Sequence, residues 1–208
     1  MKMKAGRNKT IDTTIEDGQE YLNRCIRIQT PITNINGCLD KTITGDSFEV
    51  MPKLPAEFAD LIIADPPYNL TKNFNGNIFQ KKKSEEYENY TRKWLECASR
   101  LLKPNGSIYV CCDWESSLII GRIVGEFFKI RNRITWQREK GRGAKANWEN
   151  GLEDIWFATK SDDYTFNLEM VKTRKTSHHI VKMESLRIGW SHRTEITGIH
   201  IRLIFGMI

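Results

Sequence analysis

The sequence predicts an α/β fold with a mostly parallel sheet and an antiparallel hairpin at one edge. Three observations carry this. "ADLIIAD" is a continuous apolar run bounded by acids, the pattern of a parallel strand buried on both faces. "SEEYENYTRKWLECASRLLKPNG" repeats its apolar residues with helical spacing and leads straight into a second apolar strand, "SIYVCCDW". Strand, helix and strand in that order make a crossover unit, which implies parallel pairing. "RNRITWQRE" and "LEDIWFATK" then alternate apolar and polar residues, and the polar, glycine-bearing "KGRGAKANWENG" joins them as an antiparallel pair would be joined.

The elements follow in order. Residues 1–40 are polar and weakly patterned and predict a loose N-terminal arm. "TITGDSFEVMPKLP" predicts a short strand, a turn at Gly45-Asp46 and a helical stretch with Phe48 and Met51 on one face. "ADLIIAD" is followed by a polar loop, "NLTKNFNGNIFQKKK". The long helix has Ser84 as its expected cap, acids in its first turn and Pro-Asn-Gly as its stop. "ESSLIIGRIVGEFFKI" predicts the next helix, weakened by Gly121 and Gly125. The chain divides into the arm (1–40), one folded unit (41–175) and a tail (176–208), without internal repeats.

Composition narrows the function. The chain has 208 residues, 39% hydrophobic and 28% charged, as a folded globular domain has. Its net charge of +6 fits a polyanionic partner and equally an ordinary soluble surface. Five cysteines without CxxC spacing and four histidines without HExxH spacing predict reduced thiols and no metal site. The N-terminus lacks the apolar core of a secretion signal, and runs such as "LIIA" are far too short to cross a bilayer. These features predict a cytoplasmic protein with no membrane association.

The chemistry concentrates in "LIIADPPYNL", residues 61–70. In an open α/β sheet, ligands sit at the carboxyl ends of the strands, and Asp65-Pro66-Pro67-Tyr68 stands at such an end. Two prolines fix their backbone and remove two N–H groups, which leaves a stiff loop of carbonyls. The Asp65 carboxylate and the Pro66 carbonyl are then two acceptors aimed at one place, and two acceptors suit an amino group. The Tyr68 ring adds a flat face. The set describes a pocket for a planar base with an exocyclic amine, extruded from its helical stack. The plainer reading is a rigid turn at a strand end.

"GDSFEVMPKLPAEFADLIIADPPYNL", "YTRKWLECASRLLKPNGSIYV" and "ITWQREKGRGAKANWENGLEDIWFATKSDDYTFN" together resemble a DNA amino-methyltransferase of the β class, in which the catalytic motif precedes the cofactor motif. The resemblance runs from about Ile43 to Lys175. It implies a Rossmann-like methyltransferase fold that uses S-adenosylmethionine. It also implies catalytic positions at Asp65, Pro66, Pro67 and Tyr68, and cofactor contacts from Asp46 and Asp65. Aspartate first in the motif favours N6-adenine over N4-cytosine. The loop with Arg138, Lys140, Arg142 and Lys145 would face double-stranded DNA; the stretch from Lys129 to Lys145 holds seven Lys or Arg against one Glu. Without the motif upstream, that loop reads as a solvated hairpin. A restriction-modification system and a homodimer are further expectations of the family. A non-catalytic DNA-binding remnant, and an enzyme acting on RNA or a protein amide, are the competing readings; Asp65 in place of Asn argues against the amide.

The family pattern continues with a recognition segment, an HPTxKP-like motif and an FxGSG glycine loop, and none of these follows Lys175. Codon junctions offer a reason. Joining the third base of each codon to the first two of the next lets "TSHHIVKMESLRIG" encode "VAPYREDGKPKDW" and "TGIHIRLIFGMI" encode "RDTYPSNFWDD", both of the kind found in intact relatives. The expectation is an out-of-frame tail from Thr176 to Ile208, a sheet incomplete at its C-terminus, and an unpaired edge on the "ADLIIAD" strand; the alternative is a natural half-protein completed by a second subunit.

Overall fold

The computed structural model of the chain describes residues 14–74, 77–142, 148, 150–171 and 200–204. In chain order the elements are helix α1 (Ile15–Arg24), the short helix α2 (Ser47–Val50), strands β1 (Ala59–Asp65), β2 (Lys72–Phe74) and β3 (Asn77–Phe79), helix α3 (Ser84–Leu101), β4 (Leu102–Cys112), helix α4 (Trp114–Phe127), β5 (Lys129–Arg142), β6 (Asn150–Thr159), the short helix α5 (Leu168–Val171) and β7 (His200–Ile204). Five strands form one mixed sheet in the order β5-β6-β4-β1-β7, and β2-β3 is a separate antiparallel pair.

β1 pairs in parallel with β4, setting Ile62 beside Ile108 and Ala64 beside Val110. β4 pairs antiparallel with β6, and β6 antiparallel with β5, so the hairpin forms the predicted edge. The loop between β5 and β6 is shorter than the sequence suggests, because β5 runs on to Arg142 and β6 begins at Asn150.

Alternation along β1 decides the packing. Ile62 and Ala64 are fully buried, whereas Ile63 is 40% exposed. The buried side carries Ile108, Val110 and Cys112 of β4 into a core shared with Trp94, Leu95 and Ala98 of α3 and Ile120, Ile123 and Val124 of α4. Each fully buried large side chain of this kind contributes about 1.5–3 kcal/mol. On the opposite face Tyr109 stacks on Phe157 with ring centroids 4.6 Å apart, and Tyr164 and Phe166 close over Phe157.

α3 is anchored at both ends. Its apolar stripe of Tyr87, Thr91, Trp94, Leu95, Ala98 and Leu101 is buried. At its C-terminal end the Arg100 guanidinium donates to the carbonyls of Met51 and Leu54, both at 2.7 Å, tying the segment after Gly45-Asp46 to the helix.

Five expectations are revised. The "ADLIIAD" strand is not buried on both faces, since Ile63 is 40% exposed while α3 and α4 both pack on the Ile62 side. The N-terminal arm contains α1, started by a capping box in which the Thr14 hydroxyl accepts from Asp17 N and the Asp17 carboxylate accepts from Thr14 N, both at 3.0 Å. The strand expected in "TITGD" is a single parallel bridge, Ile26 to Ile43. Ser84 is the first residue of α3, with Lys83 at the cap position and no side-chain cap. The β1 edge expected to be open is taken by β7, which pairs in parallel from Leu61–His200 to Asp65–Ile204. The physical reason is that "HIRLI" carries the strand-favouring Ile201, Leu203 and Ile204, and an unpaired strand edge is a template for such a segment.

Candidate active site

Asp65 is the last residue of β1, at the carboxyl edge of the sheet, and is exposed; Pro66 and Pro67 behind it are buried, and Tyr68 is half-buried. The loop is therefore seated in the protein with its acid outward. The Tyr68 phenol is held well above its ordinary value. Burial is the main cause, followed by the neighbouring Asp65 carboxylate, whose charge disfavours the phenolate. Tyr68 therefore stays neutral beside the Asp65 carboxylate.

The loop is fixed on both sides. The Tyr87 hydroxyl, on the first turn of α3, donates to the Pro67 carbonyl at 3.0 Å in a fully buried position. Downstream, the Asn69 side chain bridges to Lys82, accepting from its N–H at 2.8 Å and donating to its carbonyl at 3.0 Å. The Thr71 hydroxyl accepts from Lys81 N at 3.0 Å. Lys81 in turn pairs with Glu115 of α4 at 3.1 Å.

Gly45-Asp46 makes the second candidate element. Gly45 sits at φ +151°, where a Cβ would lie 3.0 Å from Val50 Cγ2, so the turn needs glycine. Asp46 Oδ1 accepts from Phe48 N at 2.8 Å and caps α2. Phe48 meets Tyr90 edge-on at 5.5 Å, and Tyr90 lies 6.0 Å from the stacked ring of Tyr87. Burial raises the Tyr90 phenol, and the Asp46 charge adds to it. One turn of α3 thus touches both the Asp65 loop and the Asp46 turn.

Sequence reasoning named the two loops and missed the helix turn that joins them. The available signal was "EEYENY": two tyrosines three residues apart, the first on a buried stripe, where a hydroxyl requires a partner.

The predicted DNA-facing residues are less concentrated than their count implied. Arg138, Lys140 and Arg142 lie on the far end of β5, and Lys145 lies outside the described residues. At the near end, Lys129 and Arg131 both pair with Asp162, and Arg131 also donates to Thr159 Oγ1 at 2.9 Å and lies over the Tyr164 ring. Those two cations are engaged within the fold, and the basic run available to a polyanion shortens accordingly. Among the described residues no group of His, Cys, Asp or Glu is placed to hold a metal ion. Nor is any described helix long and apolar enough to cross a membrane.

A family model described as DNA methylase, for N6 and N4 methyltransferases, matches residues 59–199. The chain belongs to the N6/N4 DNA methylase family. The match takes in β1, the Asp65 loop, both core helices and the hairpin, and it continues 24 residues beyond Lys175, from 175 to 199.

Curated DNA methyltransferases are similar to part of the chain. It is 35% identical over 127 residues to the DNA adenine methyltransferase YhdJ of Escherichia coli K12, covering 60% of this chain and 43% of that protein. It is 32% identical over 148 residues to the type II methyltransferase M2.LlaDCHI of Lactococcus lactis subsp. cremoris, covering 62% of this chain and 55% of that one. The chain therefore spans about half the length of the curated relatives it matches. Among solved structures, a cytosine-N4-specific PvuII DNA methyltransferase superposes with a TM-score of 0.48 at 18% identity, covering 59% of this chain and 49% of that one.

Proposed function

We propose that the chain carries the target-base half of an S-adenosylmethionine-dependent DNA methyltransferase that acts on the N6 amine of adenine. The observation that carries this reading is the Asp65 loop: an outward carboxylate at the end of a central parallel strand, with a neutral, half-buried Tyr68 beside it and buried prolines behind. The 35% identity to an adenine methyltransferase supports adenine over cytosine.

Each residue has a role in this reading. The Asp65 carboxylate and Pro66 carbonyl accept the two amine hydrogens, which pulls the nitrogen lone pair out of conjugation and points it outward. Tyr68 stacks on the extruded base, worth about 1–3 kcal/mol. S-adenosylmethionine supplies an electrophilic methyl group on a sulfonium. The donor set fits such a ligand in part: Asp46 and Asp65 are carboxylates suited to its hydroxyls and its positive charge, and Gly45 keeps the backbone beside Asp46 uncrowded. Bound beside Asp46 and Asp65, S-adenosylmethionine would offer that methyl carbon to the amine nitrogen, its own sulfur taking the carbon–sulfur pair, and Asp65 would take the amine proton. Holding the amine in line is worth several kcal/mol of barrier, and proton acceptance adds roughly 10²–10⁴-fold.

Arg138, Lys140, Arg142 and Lys145 face DNA phosphates in this account. A type II methyltransferase among the relatives supports a place in restriction-modification. The tail from Thr176 is read as out of frame, although the family match runs on to residue 199, and the form proposed to transfer the methyl group is the gene with its frame restored after Lys175. The test is labelled-methyl transfer to duplex DNA by the restored enzyme, followed by identification of the modified nucleoside. N6-methyladenine supports the proposal; N4-methylcytosine, or no product, overturns it.

A further inference from the structure

We propose that Tyr87 is a positioning residue that assigns the two proline carbonyls of the loop to different tasks: Pro67 to the protein, Pro66 to the substrate amine. The inference rests on the functional reading above and deepens it.

The Asp65 loop offers consecutive carbonyls with no N–H between them, because both residues after Asp65 are prolines. Nothing in the prolines themselves says which carbonyl turns inward. The Tyr87 hydroxyl decides it, donating to the Pro67 carbonyl at 3.0 Å. Tyr87 is fully buried, so this bond forms where water does not compete and where its loss would leave a buried carbonyl unsatisfied. A rigid loop tied at Pro67 holds the preceding carbonyl and the Asp65 carboxylate at a fixed spacing, and that spacing is what an amine with two hydrogens requires.

The tie has neighbours on two sides. Ser116, whose hydroxyl donates to Asp113, lies beside Tyr87. Asp113 follows β4 directly and caps α4, where its Oδ1 also accepts from Ser116 N at 2.9 Å. On the other side the Tyr87 ring stacks on Tyr90, which meets Phe48 beside Asp46. The network links the ends of two adjacent parallel strands through α3 and spans both loops assigned to the reaction. A side chain wanted only for core volume would not need a hydroxyl in that position, and phenylalanine would pack equally well.

The first measurement uses the 208-residue chain and needs no activity: NMR of ring-labelled tyrosine, with the Tyr68 signal assigned by Tyr68→Phe. Tyr87→Phe should shift or broaden the Tyr68 signal while the thermal midpoint stays within a few degrees. Tyr90→Phe, which leaves the Pro67 bond intact, should leave Tyr68 in place. An unmoved Tyr68 signal in Tyr87→Phe overturns the inference. The second uses the frame-restored enzyme: Tyr87→Phe should lower kcat about ten- to a hundred-fold with KM for DNA changed less than about threefold. Equal loss in kcat and thermal stability, or a change in KM alone, overturns it as well. An inactive parent enzyme would sink the functional reading on which it rests; a fully active Tyr87→Phe would sink this inference alone.

Discussion

Gly121 of α4 lies against the indole of Trp156 on β6: a Cβ at Gly121 would stand 2.3 Å from ring atom Cζ2. The same indole donates to the Ser117 carbonyl at 3.2 Å, and Ser117 Oγ donates to Asp154 Oδ2 at 2.6 Å. The helix is brought this close to the hairpin by glycine and is held there by hydrogen bonds.

Gly121→Ala should therefore destabilise the protein, by about 1–3 kcal/mol, because overpacking outweighs alanine's advantage of about 1 kcal/mol in a helix. Thermal or denaturant unfolding measures it. A rise in stability would show that propensity governs this position and that the close approach is not required.

The fold was largely legible from hydrophobic pattern. "ADLIIAD" and "SIYVCC" are apolar because each strand has neighbours, and the register Ile62–Ile108 bears out the parallel pairing inferred from the helix between them. Gly121 was read as a weakness, since local propensity does not show that Trp156 occupies the space of a side chain. The helix at Ile15–Arg24 was missed because it is short and mostly polar, so its few apolar residues, Ile15, Tyr21 and Leu22, were outweighed. β7 was missed because its partner strand lies more than a hundred residues away, and pairing at that separation leaves no local trace. The candidate site was legible in its loops, where Asp65 and the prolines break ordinary strand chemistry. Its support was not, since the Tyr87–Pro67 bond is a tertiary contact.

Stability should fall on the alkaline side. Burial pushes the Cys112 thiol up from 9.0 to about 12 and raises Cys97 as well. The folded state then holds protons that the unfolded state releases above about pH 9. These thiols' contribution is complete below that pH and is lost progressively towards pH 12; Tyr68, Tyr87 and Tyr90, also raised, steepen the loss above about pH 10. Urea midpoints between pH 8 and 10.5 should decline, and Cys112→Ala should decline less. A flat profile would mean that the thiol is solvated.

Replacing Lys140, Arg142 and Lys145 with alanine should weaken binding to all duplex sequences and flatten the salt dependence of affinity, each phosphate contact contributing about 0.9 to the slope. Replacing Lys129 should do neither, because Asp162 already engages it. An altered site preference with an unchanged slope would contradict a phosphate role.

Tyr68→Ala should weaken the hold on the target base by about 1–3 kcal/mol, read as a loss of 2-aminopurine fluorescence in a flipped-base duplex. Tyr68→Trp and Tyr68→Phe should largely restore it. Equal loss in all three would assign the effect to the Tyr68 hydroxyl instead of the ring.

The central claim is that the Asp65 carboxylate acts on an adenine amine. It is tested most directly by methyl transfer from S-adenosylmethionine to duplex DNA in the frame-restored enzyme and its Asp65→Ala variant, with the product nucleoside identified by mass. The account predicts N6-methyladenine from the parent and a loss of at least roughly a hundredfold in the variant, with DNA affinity nearly unchanged. Near-normal turnover by Asp65→Ala, or a product methylated on cytosine, would contradict it.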